Sequence, residues 1–119
     1  MPRFMAQATH ARDDPERATL PFIVANVAAS ADQEAIVLLT IDGVWLATKG
    51  YADGVHHEGM QPLLEVLDSL LASGGQIWAC GACTKPRGIT DDDLIEGARI
   101  ISAIDFVAEL ASGTPLYTC

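Results

Sequence analysis

The apolar run at residues 35–41, AIVLLTI, constrains this chain more than any other segment. It is continuous, rich in β-branched residues, preceded by the charge of Glu34 and closed by Asp42-Gly43. A strand with one wet face alternates apolar and polar residues, whereas an unbroken run of this kind suits a strand covered on both faces. The run therefore predicts a central strand. Around it, short apolar runs alternate with helical patterns, and that rhythm belongs to the α/β class.

Local signals place the other elements. Arg3–Ala8 predicts a short first strand. Asp14 and Pro15 read as an N-cap and first helical position, opening a helix towards Ser30. Pro21 cannot donate to the carbonyl of Arg17, so the pattern predicts a kink or a later start near Thr19. Residues 44–48 read as a short helical turn, and residues 49–59, with three glycines and two adjacent histidines, as an exposed loop. Met60, Leu63, Leu64, Leu67, Leu70 and Leu71 recur at helical spacing, with Pro62 in the first turn and Gly74-Gly75 as the stop. Gln76–Cys80 predicts a strand ending at a cysteine, and residues 80–88 a loop. Thr90 with Asp93 predicts a capped short helix through Glu96, followed by a brief strand at 99–101. Ser102 with Asp105 caps a helix through Ala111, and Leu116–Thr118 forms the last strand. About five strands result, in one domain over residues 1–119, without repeat or linker.

Charge and hydropathy exclude several functions. Seven basic against sixteen acidic residues leave a net charge of −9, which repels a phosphate backbone and argues against direct nucleic-acid binding. Half the residues are hydrophobic, yet no apolar run reaches the roughly 18–20 residues that span a bilayer. The first ten residues lack the basic, apolar and cleavage regions of a secretory signal, and three cysteines without framework spacing suit a reducing compartment. A cytoplasmic protein without membrane contact is expected. No Gly-x-Gly-x-x-Gly or Walker pattern occurs, so no nucleotide or flavin cofactor is expected.

The chemistry concentrates in residues 80–89, CGACTKPRGI. Cys80 is placed at the carboxyl end of a strand, where open α/β sheets carry their sites. Thiolates are the reactive form of cysteine, and neighbouring cations or a helix start lower the thiol pKa. Lys85 and Arg87 are the expected cations, Gly81 and Ala82 add little bulk, and Asp42, at the end of the central strand, faces the same cleft or merely forms an Asp-Gly turn. Such a thiolate can accept a sulfane sulfur as a persulfide and release it to a second thiol. Cys83 completes a Cys-x-x-Cys pair, which can instead cycle between dithiol and disulfide. A buried cysteine can also be a small hydrophobe without chemistry.

The order of these pieces resembles the DsrE/DsrF-like family, which includes the TusD-type sulfur-relay subunits. The resemblance rests on Ile41-Asp42-Gly43-Val44 after the second strand, the Gly74-Gly75 stop, Cys80 seven residues before Arg87-Gly88-Ile89, and Asp93-Leu94-Ile95-Glu96-Gly97. It implies a three-layer α/β/α sandwich with a mostly parallel sheet, assembly into trimers or hexamers, and persulfide transfer between donor and acceptor proteins, with Cys80 as the sulfur-accepting cysteine. Cys83 departs from the TusD-type pattern. The sulfur donor, the acceptor and the pathway do not follow from the residues.

Two rival readings accompany the sulfur carrier: a dithiol redox protein using Cys80 and Cys83, and a non-catalytic oligomeric binding subunit with structural cysteines. No metal is expected, since a closed zinc site needs four ligands and only one pair has suitable spacing. His56-His57-Glu58 reads as a solvated loop rather than a ligand set, Trp45 and Trp78 as core or interface aromatics, and Cys119 as a frayed terminal thiol. The stretch at 22–27 offers more apolar surface than a thin sheet covers, which predicts a homo-oligomer.

Overall fold

The computed structural model describes residues 2–119 and contains a single five-stranded sheet in the order β4-β3-β2-β1-β5, every neighbouring pair parallel. The strands are β1 (Arg3–Ala8), β2 (Glu34–Leu39), β3 (Gln76–Cys80), β4 (Ala98–Ile101) and β5 (Leu116–Thr118). The apolar run at 35–41 supplies β2, which lies at the centre between β1 and β3; its residues Ala35 to Leu39 are all buried. Parallel strands need long crossovers. The chain steps from β1 to β2 to β3 through α1 (Pro15–Ser30) and α2 (Leu63–Ala72), which pack together on one face. After β4 it turns back across the sheet to β5 through α4 (Ala103–Ala111), and reversing direction puts that helix on the opposite face. Two cores result. The larger holds Phe22, Val37, Leu39, Leu67, Leu70 and Ile77 under α1 and α2; the smaller holds Met5, Ile36, Leu38, Trp78 and Ile101 under α4.

The α1 helix begins at Pro15, earlier than a break at Pro21 predicts. Asp14 caps it by accepting the Arg17 amide at 3.1 Å. Pro21 removes one internal hydrogen bond without ending the helix, because its ring is buried against the core and the preceding turn is fastened by Thr19 Oγ1, which donates to the Pro15 carbonyl at 2.7 Å. Phe22 and Ala25 are fully buried, and Ile23 packs against the same core. Within the stretch at 22–27 Val27 is exposed, but the larger bare apolar surface is on α4, where Ile104 is 80% and Val107 56% exposed.

Two other segments depart from their sequence signals. Thr90 and Asp93 do form a reciprocal cap, but it closes only a single 3-10 turn, Asp91–Asp93. The chain leaves the helical path there because Leu94 bridges to Thr48 and the Ile95 amide donates to the Ala47 carbonyl at 2.8 Å. The predicted loop after Cys80 is also ordered, as α3 (Gly81–Thr84) running into a 3-10 turn, Lys85–Arg87. Gly88 closes that turn in the left-handed conformation, φ 69°. Among the described residues no helix is long and apolar enough to cross a membrane.

Candidate functional site

The carboxyl ends of β2 and β3 meet at one rim of the sheet, and the two segments leaving them are built against each other. From β2 the chain enters a 3-10 helix, Ile41–Ala47; from β3 it enters α3. Cys80 ends β3 and is the N-cap of α3, while Cys83 is one turn along. This is the placement the sequence predicts for Cys80. The thiol is nearly sealed, with 5% of the residue exposed, whereas Cys83 is half-buried.

The environment of Cys80 differs from the expected one. Burial pushes the Cys80 thiol above its ordinary pKa; the backbone amides of Ala82 and Cys83 pull it down, and the Cys83 side chain adds to the rise. Neither Lys85 nor Arg87 acts on this sulfur. Arg87 is turned onto Asp42, with Nε and Nη2 donating to Oδ1 at 3.2 and 2.9 Å, and its Nη1 donates to the Cys83 carbonyl at 3.0 Å. Lys85 is exposed. The guanidinium therefore clips the end of β2 to the turn after β3. Its planar fork satisfies two acceptors at once, a task that the single point charge of lysine performs less well.

A raised thiol pKa carries a sign for stability. The folded state holds the Cys80 proton more tightly than the unfolded chain, so the contribution is complete below the unfolded thiol's pKa, about 8.5, and is lost as pH climbs through the higher folded value. The urea midpoint of the wild-type chain should fall across that alkaline window, and Cys80→Ser should flatten the part of the fall that belongs to this thiol. A midpoint falling equally in both proteins would contradict the assignment.

Sequence reasoning marks Ile41 only as part of the segment after β2 and misses its role at the site. Its backbone sits at φ 54°, in the left-handed region that a β-branched residue rarely occupies. In that conformation its N–H donates to the Cys83 Sγ at 3.1 Å. The neighbouring Gly43 explains the sharp turn, since it packs so closely on the end of β1 that an added Cβ would lie 2.1 Å from the Ala8 carbonyl oxygen. Nothing in residue type marks Ile41, because a bulky β-branched side chain is what that conformation ordinarily excludes. The Ile41-Asp42-Gly43 order is the only sequence trace of it.

The remaining candidates lie elsewhere. His56 Nε2 is 2.8 Å from the Met60 carbonyl oxygen, and His57 is 3.9 Å from Glu16, so the histidines serve the loop before α2. Cys119 follows β5, three strands from β3 in the sheet order, which is about 14 Å at the usual strand spacing. Its Sγ lies 3.8 Å from the Tyr117 hydroxyl. Trp45 stacks on Tyr51, with Arg12 over the Tyr51 ring, while Trp78 is in the smaller core with Arg99 over its ring. Beside the cysteine turn a cavity of about 380 Å³ is lined by Trp45, Lys49, Arg87, Ile89 and Asp93. A cavity of about 360 Å³ lies at the opposite, amino end of β1, against Arg3, Glu109 and Thr114, away from the cysteines. Among the described residues no three His, Cys, Asp or Glu side chains converge as a metal-binding group.

Comparison with known proteins agrees with this architecture. The chain is 33% identical over 92 residues to the uncharacterised protein MK0008 of Methanopyrus kandleri, covering 77% of this chain and 73% of that protein. It is 32% identical over 96 residues to the uncharacterised protein MJ0760 of Methanocaldococcus jannaschii, covering 81% of this chain but only 35% of that longer protein. The crystal structure of the YchN protein from E. coli superposes with a TM-score of 0.77 at 19% identity, over 99% of this chain and 98% of that one, and so shares the fold. The model of the DsrE/DsrF-like family matches residues 3–115. With its all-parallel sheet and cysteine-ended third strand, the chain belongs to the DsrE/DsrF-like family.

Proposed function

We propose that this chain is a sulfur carrier, in which Cys80 holds a persulfide and passes it to a thiol of a partner protein. The observation that carries this reading is the pairing of Cys80 with Cys83 at the sheet rim of a family related to sulfur relay. A persulfide ionises more readily than the parent thiol, and the Ala82 and Cys83 amides, which pull the Cys80 pKa down, favour its anionic form. Low exposure shields the stored sulfur from small oxidants and reductants. Arg87 and Asp42 are positioning residues, holding the turn that carries both thiols. Exposed Lys85 offers a charge to an acidic donor or acceptor protein. The site of action is the cytoplasm, where thiols stay reduced.

Purified protein incubated with glutathione persulfide should gain one sulfur atom by intact mass, and fragment-ion mapping should place it on Cys80. No uptake on either cysteine sinks the carrier reading. The dithiol alternative has its own observation in the placement of the two cysteines one helical turn apart, at the N-cap and within α3. It predicts a product two hydrogens lighter, with Cys80 bonded to Cys83, in place of the sulfur adduct.

Self-association belongs to the same proposal. Ile104 and Val107 leave an apolar stripe on α4, which a second copy can cover in a trimer or hexamer. Light scattering at micromolar concentration should give a multiple of the 12.6 kDa chain, and Ile104→Glu should return it to that mass. A wild-type monomer would refute the assembly.

A further inference from the structure

We infer that Cys83 is the receiving thiol of this site: it takes the sulfane sulfur from a persulfide arriving from solvent and hands it inward to Cys80. The inference rests on the carrier reading and adds a direction of transfer within the pair. Three observations carry it. Cys80 is 5% exposed at the end of β3, so its sulfur offers little surface for the in-line approach that attack on an outside persulfide requires. Cys83, one helical turn further along, is only half-buried and is close in sequence to exposed Ala82 and Lys85. Its sulfur, unlike that of Cys80, is met by an amide from a different strand end, the Ile41 N–H at 3.1 Å, presented from a backbone at φ 54°.

That amide is the unusual feature. Backbone strain of roughly 1–3 kcal/mol persists only where surrounding structure holds it in place. Here Gly43 against Ala8 and Asp42 against Arg87 hold it, and the result is a fixed donor aimed at Cys83. A hydrogen bond from a fixed N–H stabilises a thiolate more than a thiol, because the charged acceptor bonds more strongly. The structure thus gives the outer, more reachable sulfur a fixed donor from across the rim and leaves the inner one enclosed.

The transfer balances in two steps. The Cys83 thiolate attacks the outer sulfur of R–S–SH; the Cys83 Sγ–S bond forms, the donor's S–S bond breaks, and RS⁻ leaves with its carbon–sulfur bond intact. The Cys80 sulfur then attacks the same sulfane sulfur, forming Cys80 Sγ–S and breaking Cys83 Sγ–S. The proton lost from Cys80 goes to the departing Cys83 thiolate. The sulfane sulfur keeps its oxidation state throughout, and no further oxidant or reductant enters.

The test follows the label in time with glutathione persulfide, quenching with an alkylating reagent and mapping sulfur by fragment ions. In the wild type the extra sulfur should reach Cys83 first and Cys80 second. Cys80→Ser should trap it on Cys83, and Cys83→Ser should slow loading of Cys80 at least tenfold, with Cys83→Ala as a second variant should the serine disturb folding. Independently of any variant, Cys83 of the wild type should be alkylated at least tenfold faster than Cys80 at neutral pH. Loading of Cys80 at the wild-type rate without Cys83 overturns the inference while leaving the carrier reading intact. So does a Cys80→Ser protein whose Cys83 stays unlabelled, or a wild type that forms the Cys80–Cys83 disulfide and releases sulfide. A wild type that takes up no sulfur at all removes the carrier reading and this inference together.

Discussion

Gly43→Ala should destabilise the chain by about 3 kcal/mol, at the upper end of ordinary overpacking costs. The added methyl would lie 2.1 Å from the Ala8 carbonyl oxygen and 2.8 Å from its carbon. Both are backbone atoms at the end of β1, and the same oxygen accepts the Thr40 amide at 3.1 Å, so neither partner can swing aside as a flexible side chain would. For a domain of this size the loss corresponds to roughly 12 °C in Tm. Gly50→Ala is the contrasting case: nothing lies within 4 Å of the new methyl, so the expected loss of about 1 kcal/mol comes only from placing alanine at φ 79°, a cost that Gly43 does not carry. Thermal denaturation followed by circular dichroism measures both. Equal losses would show that the Gly43 contact relaxes freely. Where Gly43→Ala still folds, the turn that carries Ile41 and Asp42 must move off β1, and the alkylation rate of Cys83 should fall as its amide donor is displaced.

Phe22→Ala is expected to cost more, about 3–5 kcal/mol, a large part of the 5–15 kcal/mol typical of a whole domain. The side chain is fully buried in the larger core, and α1, which carries it, packs on β1, β2 and α2. Its removal leaves a cavity beneath a helix that already lacks one hydrogen bond at Pro21. Urea denaturation should show the midpoint collapse with little change in slope. A loss below 1 kcal/mol would mean that Phe22 does not anchor α1. Ile104→Ala, at an 80% exposed position, should change the stability of the single chain little.

The contrast between Phe22 and Ile104 shows where the sequence was legible. Hydrophobic periodicity reveals that a face is apolar but not which surface will cover it. The 22–27 stretch reads as surplus apolar surface, and only packing shows that α1 lies beside α2 on the sheet while α4, with its exposed Ile104, stands alone on the other face. Helix ends were legible where one residue satisfies one amide, as Asp14 does for Arg17, since that event is local. They failed where a distant partner competes. Leu94 and Ile95 leave the path set by the Thr90 cap because Thr48 and Ala47, far away in the chain, offer them better bonds.

The candidate site divides the same way. By itself the sequence determined a buried central strand, an α/β order, and two cysteines at the end of a strand, because composition and short-range spacing suffice for each. Tertiary structure alone decided which thiol is sealed and which is reachable, that Arg87 serves Asp42 and the Cys83 carbonyl rather than Cys80, and that the Ile41 amide meets the Cys83 sulfur. The Arg87–Asp42 and Ile41–Cys83 contacts join residues more than forty positions apart, and the difference between the two thiols depends on burial. Proximity in sequence placed the cations near the thiol, but the direction of a side chain is settled by the strongest acceptor within its reach, and for Arg87 the neighbouring strand supplied it.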